Sequence, residues 1–157
     1  LPPNKEGKLS EADIRSLRGF RQLYATTFTD NLLAKAKVTC ALSEGKGRNV
    51  IDDNYDTSVR PKMKDGKAVF SFKLNKPATF NVLSVQEDIR KGQRVEKFSL
   101  EVKDAKGNWK KVTEGTTVGH KRLLKFPVQT AKEVRLIISE VRAVPAISEI
   151  GLYRLRD

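Results

Sequence analysis

Phe70-Ser71-Phe72-Lys73-Leu74 decides the fold class, because three large apolar side chains alternate there with two polar ones. A strand turns successive side chains to opposite faces. This spacing therefore lines one face of a sheet with Phe70, Phe72 and Leu74 and sends Ser71 and Lys73 to water. The same period returns where Phe98, Leu100 and Val102 alternate with Ser99 and Glu101, in Leu124, Phe126 and Val128, and in Val134, Leu136 and Ile138. The run from Phe80 to Val85 changes phase, with Phe80 and Val82 on one side and Leu83 and Val85 on the other. That predicts a bulge or a strand buried on both faces. Asp65-Gly66, Asn75-Lys76-Pro77, Lys91-Gly92, Lys106-Gly107-Asn108 and Gly115 punctuate these runs as turns. About eight strands with short connections predict an all-β jelly-roll β-sandwich.

Upstream of this pattern the period is helical. Ile14, Leu17, Phe20, Leu23 and Tyr24 recur at helix spacing, and Ser10 with Asp13 forms a cap and an acid in the first turn. One helix is predicted from about Ser10 to Tyr24. Its apolar face needs a partner, either the downstream domain or something upstream. Pro2-Pro3 and Gly7 read as linker. The chain divides accordingly into residues 1–34, linker and connector helix, and residues 35–157, the sandwich.

The 157 residues suit one domain with a core of its own. An apolar fraction of 38% and a mean hydropathy of -0.50 fit a globular protein, and no apolar run reaches the length of a bilayer span. The first residues carry no signal-peptide pattern and no initiator Met, so the sequence reads as an excised piece. Cys40, the single cysteine, has no internal disulfide partner and no metal spacing around it, which predicts core packing. Lys and Arg number 31 against 19 Asp and Glu, a net charge of +12. Such a charge raises the question of nucleic acid. The basic residues are scattered among apolar ones, however, and no arginine-rich helix, zinc-finger spacing or aromatic RNA-binding motif appears. The charge reads as a solvated surface.

The whole chain resembles the C-terminal part of bacterial α-L-fucosidases. The carrying segments, in order, are Leu1-Pro2-Pro3-Asn4-Lys5-Glu6-Gly7, Glu11-Ala12-Asp13-Ile14, Asn49-Val50-Ile51-Asp52-Asp53-Asn54-Tyr55-Asp56-Thr57, Gln86-Glu87-Asp88-Ile89, Gly92-Gln93-Arg94-Val95, Gly115 to Arg122, and Pro145 to Tyr153. The resemblance implies a galactose-binding-like jelly roll related to discoidin and coagulation-factor C domains. It also implies an upstream (β/α) barrel, in a periplasmic or secreted bacterial enzyme, that hydrolyses α-L-fucosides with retention. The catalytic carboxylates would lie upstream of Leu1, so this chain is expected to be a non-catalytic accessory module. It would bind carbohydrate, or only brace the barrel.

The sharpest local feature is the acidic loop from Asp52 to Thr57. Hard oxygen donors in a tight loop suit calcium. An EF-hand is excluded, because Thr57 stands at the turn glycine and Met63 at the bidentate glutamate. The resemblance implies calcium between this loop and a glutamate of the last strand, here Asp52, Asn54, Thr57 and Glu149 with backbone carbonyls. Asp53 replaces the family's usual glycine, at a position whose left-handed backbone suits glycine better. The competing reading is an Asx-turn that caps its own backbone. For a sugar, planar polar donors and a flat ring are needed, and the loops offer Tyr55, Arg94, His120, Arg122 and Arg142. His120 equally suits a surface imidazole, and Arg94 and Arg122 could instead pair with Glu87 or Glu140. Val59 stands where relatives often carry tryptophan, so the usual aromatic floor is missing, and Trp109 reads as packing at a core edge or hairpin.

Overall fold

The computed structural model describes residues 4–156. The linker reading of Pro2-Pro3 lies outside them. The chain runs α1 (Glu11–Phe28), β1 (Lys37–Thr39), β2 (Leu42–Glu44), β3 (Arg60–Pro61), β4 (Ala68–Glu87), β5 (Val95–Lys103), β6 (Trp109–Gly115), β7 (Arg122–Val141) and β8 (Ile147–Tyr153). Every strand pairing is antiparallel. The all-β reading and the strand number both hold.

β4 and β7 are the spine, at 20 residues each. Globular strands usually run nearer about 5–6 residues. Asn75-Lys76-Pro77, which its composition marks as a turn, lies within β4, where the register against β7 shifts between Lys73 and Ala78. A second shift separates Phe80 from Val82, at the phase change read in the sequence. Proline and bulges thus bend one long strand instead of ending it. The first half of β4 pairs β1 and the last part of β7, and its second half pairs β8 and the start of β7. β5 joins the later half of β7, with β6 outside it.

This bending closes one core. Phe70, Phe72, Phe98, Leu100, Leu136 and Ile138 share it with Phe80, Leu83, Ile150 and Leu152. Residues 81–88 are buried without alternation, so this segment is covered on both faces. Val128 departs from its expected inward place and is 48% exposed. It falls in the bulge where Gln129 faces Phe80 but Lys125 already faces Val82. Cys40 is half-buried against the core, and burial pushes its thiol up to about 11.

The helix begins as its cap predicts, with the Asp13 N–H donating to Ser10 Oγ at 3.1 Å and Ser10 Oγ–H donating to Asp13 Oδ2 at 2.8 Å. It continues one turn beyond Tyr24, to Phe28. Only that last turn docks, through buried Thr27 and the edge of Phe28 against Tyr153, ring centroids 4.9 Å apart. Leu17, Phe20, Leu23 and Tyr24 stay exposed, Phe20 by 65%. The sandwich therefore does not supply the partner that this face needs. Among the described residues no helix is long and apolar enough to cross a membrane.

Candidate functional site

The site is assembled at the end of β4, where Glu87 and then Asp88 are buried, 1% and 5% exposed. A carboxylate so buried must collect donors. Glu87 takes three from the backbone. The Arg94 and Val95 N–H groups donate to Oε1 at 2.8 and 3.1 Å, and the Gly119 N–H donates to Oε2 at 3.1 Å. The Glu87 N–H in turn donates to the Gly119 carbonyl at 3.0 Å. One side chain thereby pins the loop before β5 to the turn that carries His120. Gly119 has φ +65°, a left-handed backbone that favours glycine at this turn.

Asp88 accepts from Arg90 Nε at 2.8 Å and from Ser58 Oγ at 3.3 Å, with Lys91 Nζ 3.7 Å away. The Arg90 guanidinium holds the Asp88 carboxyl below the usual aspartate range. Arg90 then reaches on, donating to Asp56 Oδ1 at 3.0 Å and to the Tyr55 carbonyl at 3.2 Å. Two buried acids thus position two separate loops, and the rings on those loops face one another. Tyr55 and His120 stand with centroids 6.4 Å apart and planes 29° from parallel. They border a hollow of about 220 Å³ that is also lined by Asp56, Glu87, Asp88, Arg90 and Ser148. A ring edge, an imidazole, carboxylates and a guanidinium around one small hollow match the needs of a polyhydroxylated ligand.

Of the five residues read as sugar contacts, Tyr55 and His120 are brought together here. The other three do not line this hollow. Arg94 is tied to the site by its N–H, but its Nη1 donates to the Val144 carbonyl at 2.8 Å. Arg142 Nε donates to Glu96 Oε1 at 2.6 Å. Arg122 opens β7 opposite Val85. The alternative pairing with Glu87 or Glu140 is replaced, since Glu87 is occupied by backbone donors and Glu140 lies 3.7 Å from Lys97. Glu87, Asp88 and Arg90 escaped sequence reading as site residues. Their one signal was an acidic pair that ends an otherwise apolar run.

The acidic loop lies beside this hollow in sequence and meets β8. Asp53 has φ +55°, the left-handed backbone expected there. The Thr57 hydroxyl lies 2.9 Å from Asp52 Oδ2 and 3.1 Å from the Asn54 carbonyl, and the Asn54 N–H donates to Asp52 Oδ1 at 3.1 Å. The Asx-turn reading is therefore realised. Glu149, from β8, accepts the Asp53 N–H on Oε2 and Asn31 Nδ2 on Oε1, both at 3.2 Å. Burial, with Asp52 and Asp53 nearby, pushes its carboxyl up to about 8. Among the described residues no three acidic, His or Cys side chains gather as a ready ligand set. A cation here would rest on Glu149, Asp52 and loop carbonyls. An oxygen-only donor set around a buried, charge-repelled carboxylate fits calcium better than a softer metal.

The bent antiparallel sandwich is that of the F5/8 type C domain, which the chain matches over residues 34–150. The chain belongs to that family. Its likenesses narrow the class further. It is 35% identical to Alpha-L-fucosidase 1 of Arabidopsis thaliana over 98% of this chain and 32% of that protein. The solved structure SpGH29 superposes with a TM-score of 0.90 at 29% identity, covering 100% of this chain and 35% of that one. A Ruminococcus gnavus GH29 fucosidase in complex with fucose gives 0.81 at 31% identity, covering 99% and 33%. The chain spans about a third of each of these proteins. It corresponds to the accessory F5/8 type C domain of GH29 α-L-fucosidases, bacterial and plant.

Proposed function

We propose that this chain is a glycan-recognising accessory domain of an α-L-fucosidase and that it reads sugar in the Tyr55–His120 hollow. The observation that carries the reading is the convergence of those two rings, on loops fastened by the buried Glu87 and Asp88. Tyr55 supplies an apolar ring face for sugar C–H groups, His120 a donor or acceptor, and Arg90 and Asp56 polar groups for hydroxyl pairs. Calcium, held by Glu149 and Asp52 with Asn54, Thr57 and loop carbonyls, would brace the Tyr55 loop. Joined to a catalytic barrel in a periplasmic or secreted parent, the domain would hold terminal fucosides near a retaining active site. No catalytic residue is assigned to this chain.

A glycan array of the chain, run with calcium and with chelator, tests this. Selective binding that Tyr55→Ala and His120→Ala abolish is expected. A silent array from a well-folded chain would sink the reading in favour of a structural brace. One observation favours that second reading: the exposed apolar face of α1, at Leu17, Phe20, Leu23 and Tyr24, suits burial against a neighbouring domain.

A further inference from the structure

A second concave surface lies on the outer face of the sheet and shares no lining residue with the Tyr55–His120 hollow. Two adjoining depressions, of about 470 and 300 Å³, meet over Thr39 and Ser71, which are cross-strand partners of β1 and β4. One extends toward the tight turn Lys64 to Lys67, where the Lys64 and Lys67 backbones exchange N–H···O bonds across Asp65-Gly66. The other extends toward Lys73 and Trp109. From Lys67 to Lys73 along β4 the trough runs roughly 20 Å at the usual rise per strand residue.

Its charge is lopsided. Lys37, Lys62, Lys64, Lys67 and Lys73 line it, against Asp65 and Glu133. Glu133 is already held by Lys103 Nζ at 3.1 Å and Lys73 Nζ at 3.8 Å. Among the described residues, no carboxylate pairs with Lys37, Lys62, Lys64 or Lys67. A concave row of unpaired ammonium groups concentrates anions. At one end the Trp109 ring is locked in place by the Arg135 guanidinium, 4.3 Å from its centroid.

We infer that this trough binds an acidic polysaccharide, a chain carrying sulfate or carboxylate groups on its sugars. The lysines receive the charges, Thr39 and Ser71 offer hydroxyls to the sugar, and Trp109 gives one ring edge to it. Single-stranded nucleic acid fits less well, because it is held by successive stacking rings and this trough has one. Arg135, which covers the Trp109 ring, is also committed to Glu101, with Nη2 2.6 Å from Oε2.

Trp109 is the only tryptophan of the chain, so its emission reports on the trough directly. The chain is titrated by calorimetry and fluorescence with sulfated dextran oligomers, polygalacturonate oligomers, neutral dextran and a short DNA strand. One or both acidic oligomers should bind and shift Trp109 emission, and which of them does separates sulfate from carboxylate recognition. Neutral dextran should do neither. The triple variant K37A/K64A/K67A should weaken binding about tenfold, as expected for three exposed charge contacts. R15Q/R18Q/R21Q, which removes the same charge from α1, should leave it nearly unchanged. The inference is overturned if neither acidic oligomer binds, if binding leaves Trp109 silent, if both triples weaken binding equally, or if DNA binds as tightly. None of these outcomes depends on the Tyr55–His120 hollow.

Discussion

At the scale of single residues, the site rests on two buried carboxylates in the wall of the hollow, Glu87 and Asp88. Glu87 satisfies three backbone N–H groups, and Glu87→Ala should strand them at a cost of about 3 kcal/mol or more, read by chemical denaturation. Glu87→Gln is the finer probe. It keeps an acceptor for Arg94 and Val95 but turns an amide toward the Gly119 N–H, so amide exchange should quicken at the His120 turn first. Asp88 sets a pH dependence. Its folded pKa lies below the unfolded value, under the influence of Arg90, Lys91 and Ser58, with Asp56 beyond Arg90. Its stabilising share is therefore present above the ordinary aspartate pKa of about 3.9 and is lost as pH falls through the folded value. An acid-denaturation series should show this loss below about pH 4, and Asp88→Asn should flatten it. A variant that titrates like the parent would remove Asp88 from this role.

Among the elements, the alternating strands were the most legible part of the sequence, because a period of two needs only one buried face to become visible. Phe98 and Leu136 are fully buried as that period required, and truncating either to Ala should cost about 2–5 kcal/mol. Near-neutral behaviour would contradict their place in the core. The length of β4 and β7 was not legible. Asn75-Lys76-Pro77 has turn composition, and the ladder does break there, with no β7 partner between Lys73 and Ala78, but pairing resumes at Ala78 and the strand continues. Of the site, sequence pattern exposed the acidic loop and the two rings but not the acids that hold them. Glu87 and Asp88 matter through burial, and burial of a charged residue leaves no periodic trace. The helix makes a contrasting case. Its apolar stripe was plain, but its exposure was not. Phe20→Ser should leave the melting temperature of this chain nearly unchanged, whereas Phe28→Ala should lower it, because only Phe28 packs on Tyr153.

For the molecule as a whole, the accessory role makes two expectations. Calcium in excess over chelator should raise the melting temperature by mass action if the loop and Glu149 hold it, and an unchanged value would count against that site. The purified chain should not turn over a chromogenic fucoside, and measurable hydrolysis would overturn the proposed division of labour. The paired long strands carry a further consequence, for synthesis. Ala68 must find Ile138, and the second half of β4 must find β8 as well as β7. Contacts so distant along the chain form slowly. On a ribosome β4 would emerge before either partner, with its phenylalanines uncovered, and its second half would lack its full pairing until β8 had emerged. This stretch is where a chaperone would be needed, and where a stalled nascent chain would aggregate first.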